Sequence, residues 1–407
     1  MAGPLKGIKV VDFTRVLAGP HFTKILCDMG AEVIKIEHPE NGDLSRLGPP
    51  ITKNFSHYYV QQNIGKKCIS LDLNKKEGRV IIEQLIKKAD IVAENFRPGT
   101  LAAFKLDYDS IKDLNKKLVY VSISGYGQHG PMRGKAAFAP TVHAECGTAF
   151  AKFKHENIKL TDLEAMQSDF SHADVYTGLE ATISCLAALN NAQKTGIGQH
   201  IDISLAATMI AVNERAHAEL SGDNDNGGEP FALSAPISPY LRLNSGEIVV
   251  IAASPILSFV FFRYARMMRR LDLIDNPKYK TAKLRRQNYK DLMKEVYDWV
   301  STFRNAEDLE AQVGEAGLAI GKLRSMKEFA EGPWGNYWQI IRKIKIDKDN
   351  IIKIPGLPWK FSRTKCKPQN HLASRGMDNE KILFDLGYTK KDIKKLYLKN
   401  ILSIGNI

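Results

Sequence analysis

The residues able to do chemistry fall in three places. Thr14-Arg15-Val16-Leu17-Ala18-Gly19-Pro20 follows the first apolar run of the chain. A loop between a strand end and a helix start offers free N–H groups and the positive end of a helix dipole, which suits an anion, although ordinary βα turns look the same. The stretch 140–147 (PTVHAECG) carries His143 and Glu145. His143 reads equally as a pocket residue and as a satisfied core histidine. Asp174 opens a long apolar helical segment, where backbone N–H groups stabilise a carboxylate as an anion. Such a residue is either a nucleophile or simply the helix N-cap, and the residues alone leave both open. No GxGxxG or GxxxxGK[ST] occurs, so dinucleotide and P-loop readings have no support; GxSxG, HExxH and kinase signatures are absent as well.

Elements must bring these places together. The 407 residues, 44% hydrophobic and 25% charged, suffice for roughly two to three domains and argue against a disordered chain. Runs at 8–13, 32–36, 68–73, 91–94 and 118–124 read as strands. Segments 20–29 and 80–89 read as helices, with Pro20 at a first helical position and Gly30 just past the last. Alternating strands and helices predict an α/β fold with a mainly parallel sheet covered on both faces. A helix over 174–194, closed by Thr195-Gly196-Ile197-Gly198, precedes a strand at 199–205. The polar stretch 221–230 (SGDNDNGGEP) reads as a linker. Beyond it, a strand at 247–253 and helices at 256–271 and 288–303 suggest a smaller α+β domain. The expected division is 1–215, 216–335 and 336–407, the last part ending in an amphipathic helix over 388–398.

Composition narrows the function classes. Lys+Arg number 58 and Asp+Glu 45, a net charge of +13. This excess is scattered in pairs such as Lys75/Lys76 and Arg285/Arg286 and does not interleave with aromatics, which argues against a nucleic-acid partner. The five cysteines form no CxxC or Cys/His cluster, so neither a disulfide framework nor a metal site is expected. The longest apolar run, 248–262, is broken by Ser254, Pro255 and Ser258 and is too short for a bilayer. The chain opens without a cleavable signal pattern. A cytoplasmic protein without a membrane partner is expected.

Residues 5–46 (LKGIKVVDFTRVLAGPHFTKILCDMGAEVIKIEHPENGDLSR) resemble the opening of the class III CoA-transferases, the CaiB/BaiF family. Further likenesses follow in order: QNIGKKCISLDL at 62–73, AENFRPG at 93–99, VSISGYGQHG at 121–130, DVYTG at 174–178, KTGIGQHIDIS at 194–204 and IPGLPWKFS at 354–362. Seven motifs in order cover almost the whole chain. The resemblance implies a large Rossmann-like domain built from both chain ends, a smaller domain inserted between them, and an interlocked, ring-like homodimer.

It also implies the chemistry. Asp174 matches the catalytic aspartate of the family, which attacks an acyl-CoA to give an aspartyl anhydride and then an aspartyl-CoA thioester before CoA passes to a second acid. Acyl-CoA and a carboxylic acid are then substrates, with no metal and no permanently bound cofactor. Val16, Leu17, Ala18, His38, Leu71, Asn74, Asn95, Phe96, Arg97 and Lys135 match CoA-lining positions. His38 and Ala103 stand where the family often has arginine, and Lys105 is the residue that could compensate. Arg15, His143 and Glu145 are further pocket candidates. The Thr14–Ala18 loop and Gly178 are candidate oxyanion donors. The related α-methylacyl-CoA racemases need a His/Asp pair, and at their histidine position this chain has Ala137-Phe138-Ala139. The glycine run of oxalate-handling members is replaced by ALSAPISPY at 232–240, so the expected acceptor is a small dicarboxylic or branched acid. A racemase, a CoA-binding protein without turnover and a nucleic-acid binder are the alternatives.

Overall fold

The computed structural model describes residues 3–155, 158–168, 170–214, 216–221, 240–252 and 254–405. Its first part alternates as the apolar runs require: β1 (Lys9–Asp12), α1 (Ala18–Asp28), β2 (Glu32–Glu37), β3 (Lys67–Ser70), α2 (Lys76–Ile86), β4 (Ile91–Glu94), β5 (Val119–Ser124), α3 (Ala139–Glu145), α4 (His172–Thr195) and β6 (His200–Ser204). The six strands pair in parallel in the order β3-β2-β1-β4-β5-β6. Every residue of β4 and β5 is buried, as strands covered on both faces require.

On one face, Phe22 and Leu26 of α1 and Ala181, Cys185 and Ala188 of α4 pack with Val10, Val119 and Val121. On the other, Ile81, Ile82 and Leu85 of α2 pack with Val11, Ile69 and Val92, joined by Ile382, Leu383, Ile393 and Leu396 from the chain's end. Each such aliphatic side chain contributes roughly 1.5–3 kcal/mol on burial. The sheet order reverses between β1 and β4. Connections leaving these two strands therefore diverge to opposite faces and leave a crevice beyond their C-terminal ends.

Two helix starts differ from the sequence reading. α1 begins at Ala18, so Pro20 is its third residue, where a missing N–H still costs no intrahelical bond. α4 begins at His172 with Ser171 as its N-cap. Asp174 is thus inside the first turn, and the N-cap reading of this residue is corrected.

Residues 217–335 form a second compact unit, the first comprising 1–216 and 336–407. The second unit is α+β. Antiparallel strands Tyr240–Arg242, Ile248–Ile251 and Ile320–Lys322 share a core of Leu241, Val249, Phe261, Tyr264, Val296 and Leu309 with its helices. Of the linker expected at 221–230 only Ser221 is described, and of 232–240 only Tyr240; the rest lies outside the described residues. Among the described residues, no helix is long and apolar enough to cross a membrane.

Candidate active site

Construction of the site begins beneath the crevice, with buried charge. Asp12 at the end of β1 accepts hydrogen bonds from the Thr14 amide (2.9 Å) and Thr23 Oγ1 (2.7 Å), and pairs with Lys66 at 3.1 Å. Lys35 of β2 pairs with Asp43 at 2.8 Å, both side chains being wholly buried. Burial alone would raise the pKa of both acids, but Lys66 holds Asp12 and Lys35 holds Asp43 below the ordinary carboxylate range. Paired charges of this kind are costly to desolvate, and the loop they hold accounts for their placement.

That loop is 14–17. Lys35 Nζ donates to the Thr14 carbonyl at 2.6 Å. The Asn95 side chain, just past β4, accepts from the Arg15 amide at 2.7 Å and donates to the Arg15 carbonyl at 2.8 Å. Asp43 Oδ1 accepts from the Val16 amide at 3.1 Å. Val16 has φ +67°, a left-handed conformation that a β-branched residue rarely adopts without being held there. The next residues enter α1, and the Ala18 backbone N–H lies near enough to the Asp174 carboxylate to favour its anion; both residues line one cavity.

Asp174 is half-buried. Burial pushes its carboxyl up to about 6, opposed by hydrogen bonds from the Ala18 amide and its own backbone N–H. No cation is paired with it among the described ion pairs, so it is an anion of raised basicity at neutral pH, as a nucleophile requires. Tyr58, also half-buried, feels its charge: burial, then Asp174 and Asp43, push the phenol up to about 12. Sequence reading missed Tyr58, because nothing in its local pattern points across space to Asp174. Glu94 at the end of β4 was missed as well; burial lifts its carboxyl to about 7, and it accepts the Phe96 amide at 2.8 Å.

Two cavities meet in the crevice. The first, about 260 Å³, has Asp174 in its wall together with Val16, Leu17, Ala18, Asn95, Arg97 and Lys135. The second, about 180 Å³, is lined by His38, Leu71 and Asn74 among others. Arg15 and Phe96 line both, so a long ligand could pass between them. Arg15 Nε is buried without a hydrogen-bond partner. Twelve of the fifteen residues singled out from the sequence thus converge on this crevice.

Three do not. Lys105 lines neither cavity; it is the exposed, left-handed residue after the short turn Ala102–Phe104. His143 is buried on α3, lines a separate small cavity, and accepts the Ala173 amide through Nε2 at 3.1 Å. Glu145 pairs with Lys135 at 2.5 Å. Gly178 is also displaced from its expected role. A Cβ there would stand 2.8 Å from the Ala18 carbonyl oxygen and 3.0 Å from the His21 ring, so its lack of a side chain serves the close crossing of α4 over α1. No group of three or more His, Cys, Asp or Glu among the described residues could hold a metal ion.

The model of CoA-transferase family III matches residues 5–379. The chain belongs to CoA-transferase family III. Within that family it is 31% identical, over 94% of its length and 96% of the relative's, to the succinate–glutarate CoA-transferase of Agrobacterium fabrum. It is also 31% identical to the succinyl-CoA:L-malate CoA-transferase beta subunit of Chloroflexus aurantiacus, covering 98% of both chains. Human succinyl-CoA:glutarate CoA-transferase is 31% identical over 89% of this chain and 81% of its own. Among solved structures, a CaiB/BaiF family protein from Brucella suis superposes with a TM-score of 0.76 at 27% identity, over 95% of this chain and all of that one. The chain is therefore an enzyme of the CoA-transferase type with CoA thioesters as substrates, and its parallel α/β architecture is that of its family.

Proposed function

We propose that the protein moves CoA from succinyl-CoA or a similar acyl-CoA to a small dicarboxylic acid, with Asp174 as the nucleophile. The observation that carries this reading is the Asp174 carboxylate in the cavity wall beside Val16, Leu17 and Ala18, of raised basicity. The dicarboxylic acid follows from what the relatives act on, and from a cavity whose wall carries Arg15, Arg97, Arg133 and Lys135 against one acid. In the first step an Asp174 oxygen attacks the thioester carbonyl. The C–S bond breaks, leaving an aspartyl–acyl anhydride and CoA thiolate. The thiolate then attacks the aspartyl carbonyl and releases the donor acid as its carboxylate. The acceptor carboxylate attacks the aspartyl thioester, and the thiolate released takes the acceptor acyl carbon, freeing Asp174. No net proton is consumed.

CoA would lie with its nucleotide beside His38, Leu71 and Asn74, and its pantetheine would run past Arg15 and Phe96. The functional particle in this reading is an interlocked homodimer. A cytoplasmic location fits five free thiols. A racemase fits less well. No histidine lines the Asp174 cavity among the described residues, and His143 Nε2 already accepts a backbone N–H. The test is mass spectrometry after brief incubation with a panel of acyl-CoAs. A CoA-sized addition on the tryptic peptide holding Asp174, absent in Asp174→Ala, is the expected result. Absence of the adduct, with α-proton exchange into a branched acyl-CoA, would replace this reading with the racemase.

A further inference from the structure

Resting on Asp174 as the nucleophile, we propose that Asp43, with Lys35 behind it, is a positioning residue for the transfer: it locks the Val16 peptide in its left-handed turn and so fixes the Val16–Ala18 backbone that shares the cavity wall with Asp174.

Asp43 is 27 residues from Val16 and 131 from Asp174 in sequence, but one carboxylate oxygen gathers the loop. Oδ1 accepts from the Val16 amide at 3.1 Å, from the Ser45 amide at 2.9 Å and from Ser45 Oγ at 2.8 Å. Oδ2 faces Lys35 Nζ at 2.8 Å, and the same ammonium reaches the Thr14 carbonyl at 2.6 Å. The pair therefore grips the loop on both sides of Arg15, whose peptide groups Asn95 holds from β4. Both side chains of the pair are wholly buried, and neither lines the Asp174 cavity. Asp43 thus acts through the backbone, without touching substrate.

The strain gives the pair its purpose. Valine at φ +67° is disfavoured and relaxes once its surroundings stop over-determining it. With Val16 relaxed, the entry to α1 shifts and the Ala18 amide leaves its line to Asp174. A displacement of about an ångström at a reacting group costs on the order of a hundredfold in rate. Glycine visits φ > 0 freely, so at position 16 it would hold the turn without the carboxylate.

The experiment compares wild type, Asp43→Asn, Asp43→Asn/Val16→Gly and Val16→Pro. Each is measured for kcat and KM with succinyl-CoA and glutarate, for the rate of CoA adduct formation on Asp174, and for thermal melting. Asp43→Asn is expected to lose on the order of a hundredfold in kcat, with KM for the thioester changed by less than about threefold, since none of Val16, Leu17 and Ala18 lines the second cavity. Adding Val16→Gly should restore at least about tenfold of that loss. Val16→Pro keeps both charges of the buried pair but forbids the positive φ and removes the amide that Asp43 accepts. It should melt below wild type yet lose kcat at temperatures where it is still folded, and it decides the matter where Asp43→Asn fails to fold. A folded Asp43→Asn with wild-type kcat overturns the proposal, as does a loss that glycine leaves unchanged, or a Val16→Pro enzyme of wild-type kcat. Failure of the nucleophile reading looks different: the wild type itself would then form no adduct.

Discussion

Asp174 combines two tendencies that oppose each other. Burial raises its carboxyl to about 6, while the Ala18 amide and its own N–H favour the anion. As a nucleophile it must be ionised, so kcat/KM is expected to fall about tenfold per pH unit below roughly 6 and to level off above it. Glu94 titrates near 7 behind Phe96, and a Glu94→Gln control that leaves the limb near 6 in place assigns it to Asp174. The same shift bears on stability. The folded value lies above the ordinary 3.8, so no penalty exists below about pH 4, where both states are protonated. Stability is lost as pH rises between about 4 and 6, and the full penalty applies above. Discounted for partial exposure, it amounts to about 1–2 kcal/mol. Asp174→Asn should therefore be inactive, melt higher than wild type at pH 8, and gain nothing at pH 4.

At the scale of elements, the site depends on two contacts between distant segments. β1 and β4 are neighbours, which brings Asn95 to the Arg15 peptide; α1 and α4 cross tightly enough at Gly178 for Ala18 to reach Asp174. Gly178→Ala would place a methyl group 2.8 Å from the Ala18 carbonyl oxygen and force the helices apart. The expected cost is about 1–3 kcal/mol in stability, read by melting. A fall in kcat larger than the fall in CoA affinity should accompany it, because the shift displaces the Ala18 backbone from Asp174, the proposed nucleophile, while leaving the second cavity intact.

For the whole molecule, the proposed homodimer meets a visible feature of α4. This helix carries Asp174, the proposed nucleophile, and leaves Tyr176, Leu179 and Ile183 exposed at 38%, 41% and 62%. Their spacing of three and four residues forms one apolar stripe. Analytical ultracentrifugation is expected to give twice the chain's 45.5 kDa, and Ile183→Lys to shift the protein toward the monomer. A monomeric wild type would remove the interlocked assembly from the reading.

Much of this was legible in the order of residues. Short β-branched runs alternating with helical patterns specify a covered parallel sheet because burial on two faces demands that pattern. Asp174 and the loop after β1 were legible from motif likeness and from their places at helix starts, and Leu71, Asn74, Asn95 and Phe96 from the likeness alone. The rest depends on approach through space. Strand order arises from packing and chain crossover; Lys105 and His143 are close in sequence to site residues but face elsewhere. Val16 carries no local sign of its left-handed turn, since valine is among the residues least suited to it. Asp43 and Lys35 look like ordinary surface charges in the chain and become a buried clamp only when β2 is laid beside β1. Sequence determined the family and with it the CoA-transfer chemistry; the tertiary structure decided which backbone shares a cavity wall with Asp174, because that depends on distances no linear pattern encodes.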